Sequence, residues 1–196
     1  MESVGLFQHS FGQSLHDHLA GGLGRSVAPG VVAEALKLKP MDIQFFPARG
    51  AIAAEYVVDA PSSLDYGVLE MGTNDLCSGK TPLTVAEDII VLAGKLRDNL
   101  SLRHVAVLGI VPRSKKLGCV SDAHVFDLLM RETNKYLDTM LEFEPRLSFV
   151  RQQGYYSIPV DAFSKDGVHP NTPLGRRLHC RNLKRAILAA ASRAHA

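Results

Sequence analysis

Cysteine is scarce in this chain and scattered: Cys77, Cys119 and Cys180 are the only three in 196 residues. An odd count with no Cys-x-x-Cys spacing argues against a disulfide framework and a cysteine zinc centre, and it suits a reducing compartment. No apolar run approaches the roughly 20 residues that span a bilayer. No basic stretch followed by an apolar one marks a signal peptide. The expectation is an intracellular, cytoplasmic protein. A strong excess of one charge is lacking too: the formal net charge is +2, which argues against a strongly basic nucleic-acid binder. Repeats, low-complexity segments and clear linkers are missing, apart from a Gly-rich connection over Gly21 to Gly30. With 46% apolar residues, a chain of this length can bury a sizeable core. We expect residues 1–196 to form a single domain, entering its first strand so early that it resembles a domain cut from a longer protein.

What is present is an alternation of short apolar runs and longer helical patterns. The runs Val4–Phe7, Asp42–Phe46, Tyr66–Met71, His104–Val111 and Leu147–Val150 are rich in Val, Ile, Leu and Phe and do not alternate cleanly. Strands buried on both faces have this composition. Between them, Phe11, Leu15 and Leu19 recur every fourth residue. Thr84 and Glu87 have capping-box spacing ahead of Ile89, Leu92 and Leu96. Phe126, Leu129, Thr133, Leu137 and Met140 mark a further helix opened by Ser121 or Asp122, and a last helix starts near Pro173 and runs to about Ala190. Strand–helix alternation implies right-handed crossovers and a parallel sheet covered by helices. The predicted fold is α/β, a three-layer α/β/α sandwich around a five-stranded parallel sheet of flavodoxin-like order 2-1-3-4-5.

Open parallel sheets place their sites beyond the carboxyl ends of the strands. After the first strand comes Gln8-His9-Ser10, after the second Pro47-Ala48-Arg49-Gly50, after the third Gly72-Thr73-Asn74-Asp75, and past the fifth Asp166-Gly167-Val168-His169. Taken singly, these have plain explanations. Ser10 suits a helix N-cap, Gly72 to Asp75 a turn, Gly50 a conformational glycine, and Asp166 to His169 a loop leading into a helix capped by Asn171 or Thr172. Together they supply a hydroxyl, a backbone N–H, an amide and an Asp/His pair at one end of one sheet.

That order, Ser10, Gly50, Asn74, His169 with Asp166 three residues earlier, resembles the SGNH (GDSL-like) hydrolase superfamily. The resemblance runs from Ser3 to about Ala190. QHSF, PARGA, LEMGTNDL and DGVHPN are most similar to the SGNH-type esterase domains of animal genomes, including those of some non-LTR retrotransposons. It implies a serine esterase acting on small acyl esters, acetyl esters among them, through an acyl-enzyme and with neither cofactor nor metal. Ser10 would be the nucleophile, His169 the base and then the acid, and Asp166 the residue that orients the ring. The oxyanion hole would come from the Ser10 N–H, the Gly50 N–H and the Asn74 side chain.

One departure stands out. Gln8 and His9 occupy the places of the family's Gly and Asp, and a positive φ at Gln8 would be strained. It motivates an alternative reading, a catalytically degenerate SGNH-fold binding or assembly module of a mobile-element protein. The acid-free segment Gly175 to Ala196 carries Arg176, Arg177, Arg181, Lys184, Arg185 and Arg193. Such a helix could contact nucleic acid or an anionic membrane. No aromatic residues interleave the charges, however, so a solvated face is favoured over base stacking. His16 and His18 are spaced badly for a helical metal pair. His104 and His124 read as surface or capping residues, Asn134 and Arg113 as solvated, and Cys77 as a packed thiol.

Overall fold

A computed structural model of the chain describes residues 1–8, 30–47, 51–56, 63–113, 122–155 and 162–193. The strands are β1 (Ser3–Gln8), β2 (Asp42–Pro47), β3 (Tyr66–Glu70), β4 (His104–Leu108) and β5 (Leu147–Val150). They form one sheet of order β2-β1-β3-β4-β5, parallel throughout, with Gln8 opposite both Pro47 and Glu70 in the register. The order is the one predicted, and it leaves the crevice for a ligand where β1 and β3 lie side by side.

The helices are α1 (Val31–Ala35), α2 (Thr73–Cys77), α3 (Pro82–Asn99), α4 (Ala123–Met140) and α5 (Pro173–Arg193). Alternate strand residues feed two cores. Phe7, Leu69, Val105 and Val107 pack against Val85, Ile89 and Leu92 of α3 and Phe126, Met130 and Leu137 of α4. Val4, Leu6, Val68, Ala106 and Leu108 pack against Val32 and Ala33 of α1 and Leu183, Ala186, Ile187 and Ala190 of α5. This is the α/β/α sandwich. Each fully buried Leu, Ile or Phe stabilises it by about 1.5–3 kcal/mol. The expected helix through Phe11, Leu15 and Leu19 lies outside the described residues. No helix among the described residues is long and apolar enough to cross a membrane.

Some local expectations change and others hold. The cap of α3 is Thr81, not Thr84: Pro82 occupies the first turn and Thr81 Oγ1 accepts the Thr84 N–H at 3.2 Å, since proline's fixed φ suits that place. Asp122 caps α4, its Oδ1 accepting the His124 N–H. Asn134 is buried rather than solvated; its amide clamps both the N–H and the carbonyl of Ile110, at 2.8 and 2.9 Å. The Arg113 guanidinium stacks over the Phe126 ring, 4.5 Å from its centroid. Cys77 packs, partly buried, against the core below α3.

His104 is no surface residue either. It is 1% exposed, and its Nε2 lies 2.9 Å from Ser148 Oγ. Burial, with Arg193 nearby, lowers its pKa to about 4. The folded protein therefore keeps His104 neutral at a pH where the unfolded chain, titrating near 6.5, already takes up a proton. This contribution is fully present above pH ~6.5 and is lost as pH falls toward ~4, by on the order of 3 kcal/mol in all. Unfolding midpoints measured from pH 7 to pH 4 should fall more steeply for the wild type than for His104→Gln, which keeps a donor for Ser148. Equal slopes would refute the assignment.

Candidate active site

The GTND block lies just past the carboxyl end of β3. Gly72 adopts φ +107° at the start of α2, a conformation that L side chains rarely reach. A Cβ there would meet Ile110 at 2.6 Å and Ile89 at 2.9 Å. The positive φ favours glycine here, and it turns the chain so that Asn74 and Asp75 enter a helical first turn. Asn74 Nδ2 donates to the Ala51 carbonyl at 3.1 Å. Asp75, fully buried, accepts the Ala53 N–H at 3.0 Å and faces Lys80 Nζ at 3.3 Å. Burial pushes the Asp75 carboxyl up, against the pull of the Ala53 N–H and Lys80. The block that, taken singly, would suit a turn opens a five-residue helix, and Asn74 and Asp75 grip the segment following β2. That segment adjoins Gly50, which lies outside the described residues.

The other half of the site is the loop before α5. Asp166 Oδ1 accepts from the Ser164 hydroxyl at 2.7 Å and from the backbone N–H groups of Val168 and His169 at 2.8 and 3.0 Å. Its second oxygen, Oδ2, lies 2.6 Å from His169 Nδ1. Partial burial opposes the Asp166 charge, but these donors outweigh it and hold the carboxyl well below the usual range. A carboxylate facing Nδ1 makes that ring atom the donor, so proton exchange at His169 passes through Nε2. Asp166 and His169 are 45% and 26% exposed at the side chain, so the pair is open to a substrate.

The loop is pressed onto α5. Thr172 Oγ1 accepts the Gly175 N–H at 3.1 Å, and a Cβ on Gly175 would lie 1.9 Å from the Ala162 carbonyl oxygen and 2.7 Å from that of Pro170. Beneath it, Phe163 and Leu178 pack with Tyr155, past β5, and Val111, past β4. The loop therefore sits at the carboxyl end of the sheet, the end that also holds Asn74.

Ser10, like Gly50, lies outside the described residues. Gln8 is described: it is the last residue of β1, in extended conformation, with its side chain buried against Glu70. The strain that a positive φ would bring does not arise. A buried polar group at this end went unread in the sequence: Gln8, Glu70, Gln152 and His179 converge below the crevice. The available signal was Glu70 itself, a charge closing an otherwise apolar strand. Among the described residues no cluster of three or more His, Cys, Asp or Glu could hold a metal.

The chain has the fold of GDSL-type acylhydrolases. Similar solved structures include a lipase/acylhydrolase from Enterococcus faecalis, 16% identical over 96% of both chains with a TM-score of 0.63. A carbohydrate esterase of family 3 from Talaromyces cellulolyticus is 16% identical over 98% of this chain and 99% of its own, TM-score 0.66. An acetyl esterase mutant with an acetate ion is 15% identical over 98% of this chain and 99% of its own, TM-score 0.65. No protein-family model and no curated protein matches the chain.

Proposed function

We propose that this protein is a serine esterase that cleaves small acyl esters. The observation that carries the reading is the Asp166–His169 pair, with Nδ1 on a carboxylate kept charged by three further donors. Such an imidazole is oriented to act as a base through Nε2. The nucleophile is Ser10, two residues beyond the carboxyl end of β1. As its Oγ attacks the ester carbonyl, His169 takes its proton and the carbonyl oxygen becomes an oxyanion. The donors for that oxyanion are the N–H groups of Ser10 and Gly50 and the Asn74 amide. An NH2 group has two hydrogens to give, so Asn74 can hold Ala51 with one and serve the oxyanion with the other. Collapse of the intermediate breaks the ester C–O bond, and His169 gives its proton to the leaving alcohol. Water, deprotonated by the same ring, then frees the acid and restores Ser10. These steps require neither a metal nor an organic cofactor.

Three observations support this reading. The three neighbours above are named an esterase or a lipase/acylhydrolase. Gln8, the reason for suspecting a degenerate module, fits without backbone strain. Two of the cations of α5 have structural uses: Lys184 Nζ donates to the Lys37 carbonyl at 2.6 Å and Arg185 Nη1 to that of Arg151 at 3.1 Å. They tie the helix to neighbouring segments, which weakens the case for a dedicated nucleic-acid or membrane surface.

The test is turnover of p-nitrophenyl acetate together with labelling by a fluorophosphonate. Turnover should stop as one label per chain accumulates, and peptide mass spectrometry should locate it on Ser10. A label elsewhere, or turnover that survives full labelling, would sink the proposal.

A further inference from the structure

The buried polar group below the crevice takes no part in the steps above, yet it joins β1, β3, the segments that follow β4 and β5, and α5. Glu70 closes β3 and is 3% exposed; Gln8, Gln152 and His179 are 0%, 2% and 2% exposed. Gln8 Nε2 donates to Glu70 Oε2 at 2.6 Å. Gln152 Nε2 donates to Glu70 Oε1 at 2.9 Å and to the Gly109 carbonyl at 2.7 Å. His179 Nε2, on α5, lies 3.4 Å from Glu70 Oε2. Next to Gln152, Gln153 is clamped to α5 by Asn182, which accepts its N–H at 2.8 Å and donates to its carbonyl at 2.9 Å.

A carboxylate with so little water must be compensated by donors, and losing one leaves a costly unpaired charge. Charge-assisted bonds are also shorter and about twice as strong as neutral ones. Glu70 therefore does more than fill space. It holds Gln8, its partner in the β1–β3 register, and Gln8 stands two residues before Ser10.

We propose that Glu70, acting through Gln8, is a positioning residue for the Ser10 nucleophile. The inference rests on the esterase reading. Its physical basis is that attack geometry is steep: a misplacement of about 1 Å can cost about 100-fold in rate. Removing the Gln8 amide takes away the side-chain tie at the end of β1, while the register with β2 and β3 remains and Glu70 keeps its contacts with Gln152 and His179. Replacing Glu70 with Gln sets a third NH2 group among two that already donate.

The experiment compares Gln8→Met, Glu70→Gln and the double variant with the wild type, using p-nitrophenyl acetate and counting sites by fluorophosphonate titration. Each single change should lower kcat per titrated site about tenfold with KM within about twofold. The double variant should be no worse than the poorer single, because both act through one bond. A merely structural role would reduce the number of titratable sites and the melting temperature, not kcat per site. Wild-type kcat in folded Gln8→Met, or losses that multiply to about 100-fold in the double variant, would overturn the proposal; should Glu70→Gln not fold, Gln8→Met decides alone. Ser10→Ala is the control that separates the two readings. If it stays active, the esterase assignment falls. If it is inactive while Gln8→Met turns over normally, only the positioning role falls.

Discussion

Ser10→Ala should lower kcat for p-nitrophenyl acetate by about 10⁵-fold or more, with melting temperature and circular dichroism unchanged. Loss of one hydroxyl oxygen changes little volume, so a large effect on rate without one on stability isolates chemistry from folding. In the proposed mechanism a methyl group can neither attack the carbonyl nor pass a proton to His169. What remains is binding and oxyanion stabilisation, worth about 10³–10⁴ over water in enzymes that work this way. Labelling by the fluorophosphonate should vanish in parallel, since it reads the same nucleophile. Activity within about tenfold of wild type would mean that the alcohol sits elsewhere or that water is activated directly. The serine assignment would then be abandoned while the fold stands.

The architecture was legible because strands buried on both faces must be apolar throughout, as Val4 to Phe7 and Val105 to Leu108 are, and because strand–helix alternation leaves few topologies. The Asp166–His169 pair was legible for a local reason: three residues of loop bring acid and ring into contact with no help from distant sequence. The Glu70 group was not. Its partners are 62, 82 and 109 positions away in the chain, as Gln8, Gln152 and His179, and nothing in a strand's own residues reveals what crosses its end. His104 was misread for the same reason: a histidine opening a strand looks exposed until Ser148, 44 residues later, is folded against it. The Thr84–Glu87 spacing points one turn too far along because it ignores Pro82, whose fixed φ suits the first helical position and leaves Thr81 as the cap. Taken singly, Asn74 and Asp75 would suit a turn, because turn chemistry and a short helix entered from a left-handed glycine share the same residue types. Their grip on Ala51 and Ala53 is a long-range fact.

Asp166→Asn is the second change with a large expected effect, and the geometry says why it should leave the fold intact. An asparagine oxygen in the place of Oδ1 keeps the Ser164 hydroxyl and the Val168 and His169 N–H groups as donors. The amide NH2 then falls where Oδ2 faces His169 Nδ1. Two donors cannot share that contact, so Nδ1 must become the acceptor and the ring proton moves to Nε2. In that tautomer His169 has no lone pair to offer Ser10, and the imidazolium formed during attack loses its balancing charge. We expect kcat to fall about 10⁴-fold, with KM and melting temperature nearly unchanged. The wild-type pH profile provides the companion test. Donors hold Asp166 below the usual carboxylate range, so protonation of this carboxylate near pH 4 should not limit kcat/KM. An acid loss centred at about pH 4 that vanishes in Asp166→Asn would mean that these donors do not hold the carboxylate charged, and a variant with near-normal turnover would mean that His169 is aligned by something other than this carboxylate.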